Sequence, residues 1–218
     1  MDDLTFRKLL TNIPNEKQER IKKFAKSDDA KRVLLGAILI RSVVASKLKV
    51  SSKIIEFNSN KYDKPFIKGN SRLYFNVSHS GDWIVGAIDD EPIGIDIEKI
   101  RPIEFETLEQ FFSDEEYKMF MTKNPENWQL FFFDLWTLKE SYIKAVGKGL
   151  SIPLNSFTIS FLKTGEIAVK LGNKLTNWTL KQYFLDPEYK MSVCGTHTAF
   201  PENVIIKRLK YICSKHNI

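Results

Sequence analysis

The sequence predicts an α+β protein of two similar halves that meet near residue 100. Three observations carry that reading. In each half a helical pattern comes first and strand-like segments follow. The 218 residues suffice for one domain or two small ones. At 43% hydrophobic and 12% aromatic, the chain can bury a sizeable core and does not read as disordered.

Taken in order, "DDAKRVLLGAILIRSVVASKL" (28–48) is the first helix. Asp28 and Asp29 sit in its first turn, and apolar residues recur at Val33, Leu34, Ala37, Ile38, Val44 and Leu48. Strands are expected at 54–58, 73–78, 83–89 and 92–98, with "DDEP" turning the last two into a hairpin. In the second half, "SDEEYKMFM" opens with Ser113 and Glu116 at capping-box spacing. "ENWQLFFFDLWTLKESYIKAVGKG" is a long helix that stops at Gly147, with Gly149 and Pro153 beyond it. The segments "FTISF", "EIAVKL", "WTLKQYFL" and "YKMSVCGTH" complete the half as strands.

The longest apolar runs, such as "VLLGAILI", are far shorter than the ~20 residues that span a bilayer. "MDDLTFRKLL" has acids where a signal peptide carries bases. Cys194 and Cys213 form no metal or redox motif. A reduced, cytoplasmic protein is therefore expected. The net charge of +6 favours an anionic partner. Between 17 and 32 seven bases stand against three acids, which suits either an anion site or a solvated helix face.

Chemistry concentrates in two places. In "IGIDIEK" (93–99), Asp96 and Glu98 alternate with Ile95 and Ile97, so in a strand both carboxylates share a face beside Gly94. In "WTLKESYIKAVGKG", Glu140 and Lys144 are four apart and share a helix face that begins at Trp136. Taken alone, the pair reads first as an ordinary exposed salt bridge, since such pairs are common. If Glu140 reaches Asp96 and Glu98, three carboxylates call for a hard divalent cation, magnesium or manganese, which shares its ligands with phosphates. Lys144 would face the same phosphates. Ser78 and His79 in "FNVSHSGDW" precede Gly81 at an expected turn, where side chains and backbone amides can meet an anion. Lys64, before Pro65, is a further phosphate contact to consider.

Together these segments resemble the 4′-phosphopantetheinyl transferases, specifically the long, monomeric Sfp type. The family signature pairs Gly-x-Asp-x-Glu with a later Trp-x-x-Lys-Glu-x-x-x-Lys. It is met here by Gly94, Asp96, Glu98, Trp136, Lys139, Glu140 and Lys144, and the likeness runs from about residue 15 to 203. The resemblance implies two pseudo-symmetric α/β halves, 1–100 and 101–218, with coenzyme A (CoA) in the cleft between them. The phosphopantetheine arm would pass to a serine hydroxyl of an acidic apo carrier protein, releasing adenosine 3′,5′-bisphosphate.

By the same resemblance, Asp96, Glu98 and Glu140 hold Mg²⁺, or Mn²⁺, on the pyrophosphate. His79 and Lys144 contact phosphates beside Ser78. Arg32, Lys64, Lys17 and Arg20 serve the nucleotide end, which gives the basic cluster a use. Glu140 is the first candidate for general base, directly or through a water held by the metal. The carrier would dock on the segment after the metal strand, through Ile103 and Phe105 with Lys99 and Arg101 as a charged rim. Leu108 could join that patch, whereas Phe111 and Phe112 are expected in the core. One departure is Asp63, where the family commonly has Gly, which leaves the use of Lys64 open.

Other classes fit less well. A nucleic-acid-binding protein would need a basic stripe with exposed aromatics, and three placed acids would repel a phosphate backbone. A catalytically inactive module that binds CoA or carrier protein should lack a metal ligand or the lysine, and all are present. The short, trimeric synthases of fatty-acid carrier protein are about half this length.

Overall fold

The computed structural model describes residues 1–104, 108 and 110–208. Three helices open the chain: α1 (Asp3–Leu10), α2 (Asn15–Lys22) and α3 (Ser27–Leu48). The first two carry local start signals. Asp2 caps α1 by accepting from the Thr5 amide at 2.8 Å, and Pro14 immediately precedes α2. Leu9, Leu10, Ile13 and Ile21 bury against Ala30, Leu34, Ala37 and Ile38 of α3. The basic cluster therefore lies along α2, which buries only Ile21, and across the start of α3.

A single turn at Ser52–Ile54 and the short strand β1 (Phe57–Ser59) replace the expected strand at 54–58. β1 pairs with β2 (Pro65–Ile67). Then come β3 (Tyr74–Ser80), β4 (Trp83–Asp89) and β5 (Gly94–Lys99). The expected 83–98 hairpin does not form. β4 pairs back onto β3 through the two-residue turn Gly81–Asp82, in which Gly81 has φ +53°. A side chain at Gly81 would also collide with the Tyr189 hydroxyl, which accepts from the Asp82 amide at 3.0 Å.

The second half begins with α4 (Asp114–Met121), whose capping box closes as the spacing predicts. α5 (Trp128–Val146) ends on Gly147 at φ +75°. The strands β6 (Thr158–Phe161), β7 (Ile167–Leu171), β8 (Lys174–Tyr183) and β9 (Tyr189–Gly195) follow. They join β5 in one antiparallel sheet of order β5-β9-β8-β7-β6. α5 packs on this sheet through Phe133, Leu135, Leu138, Tyr142 and Ile143, against Phe157, Ile159, Val169, Leu180 and Cys194. Leu108 belongs to this core at 2% exposure, so it cannot form part of a docking patch. Phe112 is buried there too, and Phe111 packs edge-on to Trp136 at 5.2 Å. The mixed helix-and-sheet architecture agrees with the α+β expectation. Among the described residues, no helix is long and apolar enough to cross a membrane.

Candidate functional site

The site forms where α5 crosses β5. Gly94 permits the crossing: a methyl group there would stand 2.9 Å from the Ala145 Cα, and closer still to the Ser141 carbonyl oxygen and Ala145 amide. With no side chain at Gly94, the backbone of α5 rests directly on the strand. That contact brings Lys144 to Asp96, two residues along β5.

β3 completes the cleft from the other side. Asn76, Ser78 and Ser80 share one face of this strand, and all three reach β5. Asn76 Oδ1 accepts from the Ile95 amide at 2.8 Å. Ser78 Oγ donates to Asp96 Oδ1 at 2.9 Å, and Ser80 Oγ donates to Glu98 Oε2 at 2.8 Å while accepting from the Lys99 amide. β3 therefore aligns on β5 through side chains rather than a backbone ladder. The sequence reading missed Asn76 and Ser80. Their signal was present as a polar stripe of period two, Asn76, Ser78 and Ser80, alternating with Phe75, Val77 and His79.

Asp96 is 2% exposed. Its Oδ1 accepts from Lys144 Nζ at 2.5 Å as well as from Ser78, and Lys144 also donates to Ser78 Oγ at 3.0 Å. Asp96 Oδ2 is buried with no hydrogen-bond partner. Burial pushes the Asp96 carboxyl above its ordinary range, against the pull of Lys144. Glu98 is raised by burial and by the Asp96 charge. Glu140 is raised by burial and then by Asp96 and Glu98, with Lys144 opposing. The Glu140 carboxylate accepts no hydrogen bond from the described residues. The three acids thus feel one another electrostatically. Among the described residues, however, no three acidic, histidine or cysteine side chains already close on one point as a metal site, and the Lys144 ammonium lies against Asp96.

Ser78 and His79 lie inside β3 rather than at the turn the sequence suggested, so their backbone groups sit in the β3–β4 strand pairing. His79 takes the face opposite Ser78, toward the start of α3. Burial lowers its pKa, and the Arg32 and Lys144 charges act in the same direction. Arg32 donates to the Gly81 carbonyl at 3.2 Å and to Asp29 at 2.7 Å, which holds it beside the β3–β4 turn.

Two of the expected nucleotide contacts stand elsewhere. Lys64 donates to the carbonyls of Ala145 at 2.8 Å and Ile93 at 3.3 Å, and burial lowers its pKa to about 8. Its ammonium thus ties the β1–β2 loop to the end of α5. Asp63 occupies the position before it at φ +63°, a left-handed conformation that glycine adopts more easily. Lys17 feels the charge of Arg41, nine residues beyond Arg32 on α3 or about 13 Å along the helix. Arg20 is exposed on α2.

Lys139, the remaining charged residue of the signature, is 0% exposed. It donates to both oxygens of Glu116, at 2.7 and 2.6 Å, and to the Phe157 carbonyl at 2.8 Å. Glu116 in turn accepts from the amides of Ser113 and Ile159. One buried ion pair therefore pins α4 and the start of β6 to α5.

Similarity to known proteins agrees with this arrangement. Residues 92–194 match the model of the 4′-phosphopantetheinyl transferase superfamily, and residues 2–91 match that of a 4′-phosphopantetheinyl transferase N-terminal region. The 4′-phosphopantetheinyl transferase Sfp of Bacillus subtilis (strain 168) is 40% identical over 197 residues, covering 90% of this chain and 88% of that protein. The chain belongs to the 4′-phosphopantetheinyl transferase superfamily. Within it, the transferase ffp of Bacillus subtilis is 41% identical over the same shares of each chain. The transferase gsp of Aneurinibacillus migulanus is 38% identical over 98% of this chain and 90% of its own. These relatives place the chain with the Sfp-type transferases.

Proposed function

We propose that this phosphopantetheinyl transferase moves the 4′-phosphopantetheine group of CoA to a serine hydroxyl of an acidic apo carrier protein. The observation that carries the mechanism is the contact of Lys144 with Asp96 and Ser78 in the cleft between β3, β5 and α5, with the charges of Asp96 and Glu98 acting on Glu140. The donor set fits a hard cation. It is all oxygen, it comprises three carboxylates at raised pKa, and Asp96 Oδ2 is buried and unpartnered. Asp96, Glu98 and Glu140 would hold Mg²⁺, or Mn²⁺, which when bound neutralises charge on the CoA pyrophosphate.

The chain's own residues do the rest. Lys144 turns from Asp96 toward the phosphates and offsets the negative charge that builds on the bridging oxygen. His79 and Arg32, adjacent at the end of β3, receive phosphate groups of CoA, with Ser78 and Asp96 bordering them. Lys17, which stands by Arg41, lies away from this surface, and Arg20 is an exposed base on α2. The carrier's serine oxygen forms a bond to the β-phosphorus as the bridging P–O bond breaks. Its electron pair leaves with adenosine 3′,5′-bisphosphate. The hydroxyl proton goes to a Glu140 carboxylate oxygen that the cation does not take, directly or through a water.

Residues 1–100 supply the nucleotide contacts and the strand bearing Asp96 and Glu98, and residues 101–218 supply the helix bearing Glu140 and Lys144. One chain provides the whole site, which suits a monomer. For docking, Arg101 is exposed and Ile103 is half-buried against the α5 core, while Lys99 pairs with Glu188 at 3.3 Å. Phe105 lies outside the described residues.

The test is incubation with CoA, Mg²⁺ and an apo peptidyl carrier protein, followed by intact-mass spectrometry of the carrier. A gain of one phosphopantetheine, abolished by EDTA and by Glu98→Ala, is the expected result. Gain that persists in EDTA removes the cation from the mechanism. No gain, with CoA still bound, favours a module that binds CoA without catalysis.

A further inference from the structure

Glu98 stands directly opposite Lys190 in the antiparallel ladder of β5 and β9. Residues so opposed share a face with Cβ atoms ~4.5–5.5 Å apart, and opposite charges there ordinarily attract. Here the lysine turns away. Lys190 Nζ lies 2.8 Å from Oδ1 and 3.0 Å from Oδ2 of Asp134, on α5. Gln182 of β8 steadies the same carboxylate, donating from Nε2 to Oδ1 at 3.0 Å. Among the described residues no ion pair joins Lys190 to Glu98. Glu98 keeps only the Ser80 hydrogen bond, with Asp96, Arg101 and Lys144 as the charges that act on it.

We propose that Asp134 is a positioning residue that draws the Lys190 ammonium away from Glu98 and so keeps that carboxylate free for a divalent cation. This rests on the reading of Asp96, Glu98 and Glu140 as cation ligands. An ammonium and a metal ion compete for the same carboxylate oxygens, and a lysine on the opposing strand has the reach to do so. Lys190 and Asp134 are about three-quarters sheltered, with side-chain exposures of 27% and 24%, so solvent screens their attraction only in part. α5 is the right element to hold the decoy. It already carries Glu140 and Lys144, so the contact that places the catalytic face also places Asp134 beside Lys190.

The experiment titrates Mn²⁺ into the full-length protein without CoA, reading free Mn²⁺ by electron paramagnetic resonance. The proteins are wild type, Asp134→Asn, Lys190→Met, the double variant and Glu98→Ala. Asp134→Asn should weaken Mn²⁺ binding about threefold to tenfold, as an added cation beside a carboxylate does. Its KM for the metal should rise in proportion, with kcat at saturating metal nearly unchanged. Adding Lys190→Met should restore wild-type affinity, because the competitor is gone. Gln182→Leu, which loosens Asp134 without removing its charge, should shift affinity in the same direction, and it carries the test if Asp134→Asn fails to fold. Unchanged Mn²⁺ affinity in Asp134→Asn, or a loss that Lys190→Met does not rescue, overturns the proposal. If wild type binds no Mn²⁺, or binds it equally in Glu98→Ala, the cation reading beneath the proposal fails, an outcome distinct from the first.

Discussion

Replacing Gly94 with alanine tests the contact on which the whole site depends. The added methyl would lie 2.9 Å from the Ala145 Cα, with the Ser141 carbonyl oxygen and Ala145 amide closer. Apolar carbons settle at about 3.5–4.0 Å, and the closer oxygen and nitrogen need a larger shift still, so α5 must retreat from β5 by about 1 Å or more, or the strand must yield. All three colliding atoms are backbone, and no rotamer change relieves them. Overpacking of this kind costs about 1–3 kcal/mol. For a chain of this size that corresponds to roughly 2–4 °C in Tm per kcal/mol, or about 2–12 °C in all. Catalysis should suffer more than stability. The 2.5 Å contact of Lys144 with Asp96 lies next to the collision, and a displacement of about 1 Å costs on the order of 100-fold in rate. The assay follows carrier modification by intact mass at saturating CoA and metal, beside a thermal melt. Gly86→Ala is the control, since a methyl there meets its nearest atom at an ordinary 3.7 Å. A Gly94→Ala protein with the rate and melting temperature of the control would refute the argument that bare backbone contact sets the site.

Two further predictions follow from the buried charges. Glu116→Gln should destabilise the protein by about 3–5 kcal/mol, because it leaves the Lys139 ammonium buried without its counter-charge. Chemical denaturation should show that loss, and the paired change Glu116→Met with Lys139→Met should recover most of it. The pH dependence of Glu98 gives the other. Its pKa is raised chiefly by burial, so the folded state holds that proton more tightly than the unfolded chain does. The stabilisation is fully present below the ordinary value of 4.5 and is lost as pH rises through the raised folded value. Without metal, wild type should therefore lose stability relative to Glu98→Gln between pH 4 and pH 7. Adding Mg²⁺ at pH 7 should reverse the order, by about 2.7 kcal/mol at a hundredfold excess over Kd. No metal-dependent rise in melting temperature would count against the cation site.

Much of the architecture could be read from the chain because its signals are local. The long helices at 27–48 and 128–146 carry apolar periodicity, the second stops on Gly147, and the capping box is spelled out by Ser113 and Glu116 three residues apart. α1 and α2 escaped because they are short and charged, and bury one or two residues each. The hairpin expected at 83–98 failed for a different reason. "DDEP" is a competent turn, but turn chemistry does not say which strand lies alongside, and β4 found β3 while β5 found β9.

The candidate site divides along the same line. Alternation in "IGIDIEK" and four-residue spacing in "KESYIK" are enough to put Asp96 with Glu98 and Glu140 with Lys144, since each pair shares a face of one element. The sequence cannot decide which elements meet. That Gly94 admits α5, that Ser78 and Ser80 reach across to the carboxylates, and that Lys64 ties off the end of α5 are contacts between residues far apart in the chain. The same holds for Lys139, which sits between Leu138 and Glu140 yet serves the core rather than the cleft. A helix turns by about 100° at each residue, so adjacent positions face different neighbours, and only packing assigns those neighbours their chemistry.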